Sequence, residues 1–186
     1  VGLGNPGSNY TNTRHNIGFK IIDAINVHFK LSKQKPKFKG LLTTGNIDEK
    51  KIYAIKPLTF MNNSGTAIKE LIDYFKIDAK DVFVFHDDMD IDFGKIKAKF
   101  GGSSAGHNGI ESIDKFIGKE YSRVRIGIGH PKIKKRVNNH VLEDFKDDEE
   151  EKINDITKNI VKQLSTLIEK KIDLFSSKVN QNLNGI

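Results

Sequence analysis

The chain has 186 residues, 37% of them hydrophobic and 30% charged, which suits one domain able to bury a sizeable core. Lys and Arg outnumber Asp and Glu by 31 to 24, and this net charge of +7 favours a polyanionic partner, nucleic acid first. The absence of cysteine excludes disulfides, thiol nucleophiles and cysteine-based zinc sites, and no apolar run approaches the roughly 20 residues of a membrane span.

In the first half of the chain, short apolar runs alternate with amphipathic stretches. Residues 1–4 form a short apolar piece that ends in the turn GLGNPG. Residues 17–29 carry apolar side chains at i, i+4 spacing, which predicts a helix. Residues 41–48 and 51–58 predict two strands joined by a polar turn, and residues 64–75 predict a second helix with one apolar face.

The second half continues the alternation. An unbroken apolar run at 81–85 predicts a strand buried on both faces, and further strands are predicted at 95–100 and 123–129. Helices are predicted at 107–117 and from 147 to about 176, followed by a frayed tail at 180–186. This order of elements predicts the α/β class, with a single domain over residues 1–186 on a mostly parallel or mixed sheet.

The turn GLGNPG is similar to a dinucleotide-binding fingerprint but does not satisfy its requirements. That fingerprint needs the turn to open a helix directly and an acidic residue about 20 positions later. Here Pro6 and a polar stretch precede the helix, and Asp23 lies within the helix rather than at the end of a second strand. We interpret the turn as a loop at the carboxyl end of a strand that displays Asn5.

The segment HDDMDIDFG, residues 86–94, concentrates one histidine and four carboxylates. Its spacing begins like a calcium-binding EF-hand loop, but Phe93 and Lys99 occupy the positions that need glycine and an acid. Asp87 lies at the end of the apolar strand, whereas His15 stands close to the start of the first helix. Because loops at the carboxyl ends of strands converge in open α/β sheets, Asp87 is a candidate to orient His15.

Each of two asparagines, and a set of basic residues, can be explained either by function or by structure alone. Asn62 and Asn108 stand near predicted helix starts, where asparagine is a favoured N-cap, but a neutral amide can also position substrates and water. Basic residues on the strands and the following loop suit phosphate contacts, the alternative being a solvated surface. They are Lys95, Lys97, Lys99, Arg123, Arg125, Lys132, Lys134, Lys135 and Arg136.

Six motifs in the chain resemble those of the bacterial peptidyl-tRNA hydrolases. In chain order they are VGLGNPG, YTNTRHNIG, PLTFMNNSG, HDDMDIDFG, GGSSAGHNGIESI and RVRIGIGHP. The resemblance covers residues 1 to about 142 and implies a single α/β domain with a twisted mixed β-sheet flanked by helices. It also implies hydrolysis of the ester bond of peptidyl-tRNA, which releases free tRNA and peptide without metal or cofactor. The loop GGSSAGHNG has fewer glycines than is usual in the family.

The resemblance implies a role for each matching residue. His15 corresponds to the base that activates water, Asp87 to the carboxylate that orients it, and Asn5 to the residue that distinguishes peptidyl from free aminoacyl substrates. Binding of substrate and tRNA is implied for Tyr10, Phe60, Asn62, Asn108, Lys97, Lys99 and Arg125.

The remaining expectations concern cellular setting and competing functions. We expect a cytoplasmic monomer with peptidyl-tRNA as partner, no membrane contact and no obligate protein partner. Asp88, Asp90 and Asp92 are expected to be turn and surface acids. Two alternatives are an RNA-binding module without catalysis and a metal-dependent hydrolase that uses the acidic segment.

Overall fold

The structure, a computed structural model, describes residues 1–131 and 137–183, without the side chains of residues 137 and 138. The strands are β1 Lys35–Lys37, β2 Gly40–Ile47, β3 Lys50–Pro57, β4 Phe83–Asp88, β5 Ile96–Phe100 and β6 Ser122–Gly127. The helices are α1 Ile17–His28, α2 Ser64–Phe75, α3 Asn108–Ile117, α4 Val137–His140, α5 Asp147–Lys162, α6 Leu164–Ile168 and α7 Ile172–Leu183. Short 3-10 turns at Ser8–Tyr10, Arg14–Asn16 and Met61–Asn63 carry residues near the candidate site.

The described strands form two three-stranded sheets that the first residues of the chain connect. One has the antiparallel order β1-β2-β3; the other has the order β4-β6-β5, in which β6 runs parallel to β4 and antiparallel to β5. Gly2 N–H donates to the Ile55 carbonyl at 3.1 Å, and Leu3 N–H donates to the Phe85 carbonyl at 3.0 Å. The predicted class, a single α/β domain with mixed sheets flanked by helices, is confirmed; its extent over residues 1–186 stays a prediction.

Apolar packing covers both faces of the β4-β6-β5 sheet. Phe85 packs in a cluster with Ile21 of α1 and Ile156 of α5, whereas its neighbour Val84 packs with Ile68 of α2. Adjacent side chains of a strand point to opposite faces, so β4 is buried on both sides, as its apolar run predicted. Burying each such side chain stabilises the fold by roughly 1.5–3 kcal/mol, which fixes the strand end that carries the site.

The C-terminal helical segment differs from its prediction. The expected single helix at 147–176 is three helices, because the backbone changes direction at Gln163 and again at Lys170, which has a left-handed φ of 62°. The prediction of a frayed tail was wrong for residues 180–183, because they form the end of α7. Residues 184–186 lie outside the described ranges. None of the helices in the described ranges has the length and apolar character needed to cross a membrane.

The remaining predicted helices and strands agree with the structure to within one residue at each end, except that the strand predicted at 81–85 is found at Phe83–Asp88 and the strand predicted at 123–129 is found at Ser122–Gly127. Helix α2 has the predicted bounds, and α1 and α3 differ from theirs by one residue. Strand β1 was not predicted, and the N-terminal piece makes a single bridge, between Gly2 and Phe85, rather than a full strand.

Candidate active site

The expected contact between His15 and Asp87 is present in the structure. Asp87 is the penultimate residue of β4, and His15 lies in the 3-10 turn Arg14–Asn16 that leads into α1. Nδ1 of His15 lies 2.8 Å from Oδ1 and 3.0 Å from Oδ2 of Asp87. Because a carboxylate only accepts, this nitrogen carries the proton and Nε2 keeps its lone pair.

His107 is a second imidazole on the same carboxylate. Its Nε2 lies 3.0 Å from Asp87 Oδ1, while its Nδ1 accepts the N–H groups of Gly109 at 3.1 Å and Ile110 at 3.3 Å. Since Nδ1 is an acceptor at the start of α3, the proton of the neutral ring is on Nε2 and is donated to Asp87. We call His15, Asp87 and His107 the Asp87 cluster.

Burial and charge oppose each other in the Asp87 cluster. Burial alone would raise the pKa of Asp87, but the two imidazoles and their hydrogen bonds hold it well below its usual range. Burial alone would lower the pKa of His15, but the charge and hydrogen bond of Asp87 raise it above the ordinary histidine value. Asp87 is therefore ionised, and His15 is a stronger base than a solvated histidine.

The neighbouring His86 is buried and neutral. Its Nδ1 lies 2.7 Å from the backbone oxygen of Asp87, and its ring packs edge-on against His107 with 4.8 Å between centroids. Burial, with the nearby His107 as the next cause, holds the pKa of His86 well below the usual histidine value. His86 thus fills the space behind the Asp87 cluster without adding charge to it.

The three side chains of the Asp87 cluster also have the spacing of a metal site, with ligand atoms within 4.8 Å of one another. A metal on Nε2 of His107 would need the lone pair of that nitrogen and would move the proton to Nδ1. There the proton would meet the N–H groups of Gly109 and Ile110 instead of an acceptor. The hydrogen bonds therefore favour a carboxylate held by two imidazoles over a metal centre.

Asn5 presents an amide donor toward the pocket. Its Oδ1 accepts the N–H of Met61 at 2.9 Å, which assigns the oxygen and leaves Nδ2 as the free end of the amide. Its backbone N–H and carbonyl are both bonded to the side chain of Asn16, at 2.8 and 3.0 Å. The loop GLGNPG is thus fixed by Asn16, and Asn5 Nδ2 has no hydrogen-bond partner among the described residues.

A pocket of about 420 Å³ opens above these groups. The predicted site residues on its wall are Asn5, His15, Phe60, Asn62, Asp87 and Asn108. The wall also contains His107, the loop Ser104–Gly106, and Val141 and Leu142. Gly109 lets α3 approach this wall, since a Cβ there would lie 2.5 Å from Met61 Sδ. The pocket therefore gathers residues from six separate stretches of the sequence.

One wall of the pocket is attached to the turn that carries His15. The N–H of His15 donates to the Val141 carbonyl at 2.8 Å, and the N–H of Arg14 donates to the Glu143 carbonyl at 3.0 Å. The buried guanidinium of Arg14 donates to the Asp144 carbonyl at 2.9 Å and to Glu149 Oε2 at 2.7 Å. Residues 141–144 and the turn are thus held together by main-chain and side-chain bonds.

The two asparagines with a capping alternative do not serve as side-chain caps. Asn62 is exposed within the turn Met61–Asn63, and the cap of α2 is Asn63. Asn108 is the first residue of α3, whose cap is the His107 side chain. Phe60 is 62% exposed at the pocket rim. Tyr10, in contrast, lies in the turn Ser8–Tyr10 and is not part of the pocket wall.

The basic residues divide into buried and accessible groups. Arg123 is 1% exposed and binds Asp114 and the Ser103 carbonyl, both at 2.6 Å, so its predicted phosphate contact was wrong. Arg125 Nε donates to Asp88 Oδ2 at 2.7 Å. Asp88 is buried, which corrects its prediction as a surface acid, whereas Asp90 and Asp92 are exposed as predicted.

Lys97 and Arg125 face each other across the β5–β6 pair, and Lys99 lies one position further along the same face. None of the described carboxylates forms an ion pair with Lys97 or Lys99. We call Lys97, Lys99 and Arg125 the lysine face. The predicted contacts of Lys132, Lys134, Lys135 and Arg136 lie outside the described residues.

Three comparisons with known proteins point to one family for this chain. The family model described as peptidyl-tRNA hydrolase matches residues 1–185. The chain belongs to the peptidyl-tRNA hydrolase family. It is 72% identical over 180 residues to the peptidyl-tRNA hydrolase of Pelagibacter ubique, covering 97% of both chains, and 46% identical to that of Ehrlichia ruminantium, covering 96% of this chain and 92% of the relative.

The fold comparison leads to the same family. The crystal structure of peptidyl-tRNA hydrolase from Acinetobacter baumannii superposes with a TM-score of 0.90 at 34% identity, covering 97% of this chain and 92% of that one. Peptidyl-tRNA hydrolases hydrolyse the ester bond of peptidyl-tRNA, and the chain is a hydrolase of this kind. Membership of the family also implies a tRNA substrate.

Sequence reasoning missed His107 as a partner of Asp87. The motif GHNG was considered only for Asn108, because the histidine lies in a glycine-rich loop without a periodic pattern. The available signal was its position at the first residue of a predicted helix, where a side-chain acceptor is needed for the first N–H groups. That signal predicts a cap, but it does not predict which carboxylate the other ring nitrogen reaches.

Proposed function

We propose that His15 is the general base of the peptidyl-tRNA hydrolase reaction and that Asp87 orients it. The observation that carries this proposal is the 2.8 Å contact between His15 Nδ1 and Asp87 Oδ1, which leaves His15 Nε2 as an acceptor at the pocket. Nε2 takes a proton from water as the water oxygen attacks the ester carbonyl. Asp87 stabilises the imidazolium that forms, as in a Ser-His-Asp triad in which water replaces serine.

The second half of the reaction returns that proton. The tetrahedral intermediate collapses with cleavage of the bond to the ribose oxygen, and the imidazolium of His15 protonates this leaving group. Asn5 Nδ2 is a donor toward the pocket and can stabilise the oxyanion or bind the peptide carbonyl. Asn62 and Asn108, both on the pocket wall, are proposed to hold substrate and water.

The proposed tRNA contacts lie on two surfaces. Phe60, exposed at the pocket rim, offers an apolar ring for the acceptor end, and Tyr10 is proposed to contact the same end outside the pocket wall. The lysine face is proposed to bind phosphates of the substrate. Arg125 retains guanidinium donors for phosphate beyond the Nε–H that it gives to Asp88.

We further propose that the chain acts as a cytoplasmic monomer without a metal or an obligate protein partner. The family model matches residues 1–185 of this chain. The tautomer of His107 supports metal-independent catalysis, because its Nδ1 accepts two backbone N–H groups.

The test compares wild type with His15→Ala on an N-blocked aminoacyl-tRNA and measures peptide release. Loss of the general base should lower kcat by about 10²–10⁴-fold. His28→Ala is a matched control, because His28 is exposed at the far end of α1. Full activity of His15→Ala would contradict the proposed base. A parallel assay in a strong chelator should show unchanged activity, and loss of activity there would favour the metal-dependent alternative.

A further inference from the structure

Strand β5 lies at the edge of the sheet that carries the site. Its inner edge pairs with β6 in the antiparallel register Ile96↔Ile126 to Phe100↔Ser122. Its outer edge has no strand partner in the described chain, since the order of this sheet is β4-β6-β5. The N–H and C=O groups on such an edge need other partners or remain open to water and to other chains.

Helix α7 supplies those partners with side chains. Asn180 Oδ1 accepts the N–H of Ile96 at 3.0 Å, and Asn180 Nδ2 donates to the Ile96 carbonyl at 2.9 Å. Ser176 Oγ accepts the N–H of Ala98 at 2.9 Å. Because Ser176 and Asn180 are four residues apart, they lie on one face of the helix and reach alternate residues of the strand. Two side chains thus replace a neighbouring strand.

Helix α7 is itself firmly attached to the core. Phe175 directly precedes Ser176 in the sequence, and Val179 directly precedes Asn180. Both apolar side chains are 0% exposed and belong to the main apolar cluster. Loss of the Asn180 amide would leave both the N–H and the carbonyl of Ile96 without their partner. Through these bonds the position of β5 depends on a helix that lies outside the pocket wall.

The residues of β5 that alternate with Ile96 and Ala98 are Lys97 and Lys99. Their ammonium groups share a face with Arg123 and Arg125, and this crowding has an electrostatic cost. Burial and the charges of the two arginines lower the pKa of Lys99. Like charges that face each other across a strand pair are destabilising, so the bonds from α7 add support to β5 where its pairing with β6 is weakened.

We propose that Asn180 and Ser176 are positioning residues for tRNA binding: they hold edge strand β5 so that Lys97 and Lys99 face the phosphates of the substrate. This inference rests on the proposed function, in which the lysine face binds the tRNA. Helix α7 acts here without touching the substrate, so it should affect affinity for the nucleic acid and leave the chemistry at His15 unchanged.

The experiment compares Asn180→Ala and Ser176→Ala with Asn182→Ala and Ser177→Ala, which make the same changes at exposed positions of α7. Equilibrium affinity for uncharged tRNA, and KM and kcat for an N-blocked aminoacyl-tRNA, are measured over a range of salt concentrations. The first two variants should weaken tRNA binding and raise KM by about three- to tenfold, with kcat unchanged and a shallower salt dependence. The two control variants should match wild type, and Ser176→Thr, which keeps the hydroxyl, should restore binding.

A small substrate separates positioning from general damage to the fold. On N-blocked aminoacyl-adenosine, which has no tRNA body, Asn180→Ala should keep the wild-type kcat/KM. Equal losses on both substrates, or unchanged tRNA binding in both variants, would overturn the inference. A further outcome is that wild-type protein binds tRNA more tightly than Asn180→Ala and yet releases no peptide. That result would overturn the proposed function and leave this inference standing.

Discussion

The Asp87 cluster and the lysine face belong to the same three-stranded sheet but differ in how their atoms are held. Asp87 is 2% exposed, and each imidazole bonded to it has a defined tautomer and a contact no longer than 3.0 Å. Lys97 is exposed on β5, and neither lysine of the face has an ion-pair partner among the described acids. In the proposed function, the Asp87 cluster acts through the fixed direction of its hydrogen bonds in a low-dielectric interior. The lysine face would act through the number of positive charges that it presents to phosphates.

This difference predicts two separable kinds of variant. Changes in the Asp87 cluster should alter kcat and its pH dependence and should be nearly independent of salt. Changes in the lysine face should alter KM and its salt dependence and should leave kcat unchanged.

The largest effect is expected for Asp87→Asn. An asparagine has no negative charge to stabilise the imidazolium of His15, and its NH₂ group, in the place of Oδ2, would face the Nδ1–H of that ring. We expect kcat to fall by about 10²–10⁴-fold, measured as peptide release from an N-blocked aminoacyl-tRNA. Asp92→Asn is the matched control, since Asp92 is exposed and lies outside the pocket wall. Equal activities of the two variants would contradict the role proposed for Asp87.

The pH profile should follow the raised pKa of His15. The proposed base acts in its neutral form, so kcat should decrease by about tenfold per pH unit below an inflection that lies above the ordinary histidine pKa of about 6.5. Stability has the opposite sign: protonated His15 stabilises the fold below its unfolded pKa, and this contribution is lost as pH rises through the folded pKa. An inflection of kcat clearly below pH 6 would contradict the assignment of His15.

A smaller effect is expected for His107→Ala. This variant removes one hydrogen bond to an ionised carboxylate, an interaction worth about 1.5–3 kcal/mol, so kcat should fall by about 10–100-fold. His107→Asn should recover part of the loss, because an amide can both donate to Asp87 and accept at the start of α3. If both variants keep the wild-type kcat, Asp87 needs only His15 as its partner.

The smallest effect is expected for Lys97→Ala and Lys99→Ala. Each should raise KM by a few-fold and lower the slope of log affinity against log salt by about one, with kcat unchanged. Lys80→Ala, an exposed lysine of the turn before β4, is the control. A fall in kcat without a change in the slope of log affinity against log salt would indicate that these lysines act in the reaction and not in binding.

Local periodicity and sheet topology explain what could be predicted from the sequence. The apolar spacing in residues 64–75 predicted α2 with the bounds found in the structure. The convergence of loops at the carboxyl ends of strands predicted that His15 and Asp87 meet, although they are 72 residues apart. Both predictions depend on patterns that a single element or a single sheet edge imposes.

The missed features depend on contacts that no local pattern encodes. The apolar stripe from Ile153 to Ile168 keeps its period across Gln163, so the sequence reads as one helix where the backbone bends. The left-handed conformation at residue 170 is not indicated by the sequence, because the residue there is a lysine and not a glycine. Asp88 was expected at the surface because an acidic run does not reveal that β4 continues to this residue and meets Arg125.

The bonds of Arg14 determine which side of the pocket can open to admit a substrate. Moving the wall formed by residues 141–144 would break the bond between His15 N–H and the Val141 carbonyl, and the buried Arg14 guanidinium would lose its bonds to the Glu143 and Asp144 carbonyls and keep only Glu149. Rotation of the exposed Phe60 ring at the pocket rim breaks no hydrogen bond, because a phenyl ring forms none. A bulky peptide should therefore enter past Phe60, while the rim beside the proposed base His15 remains closed.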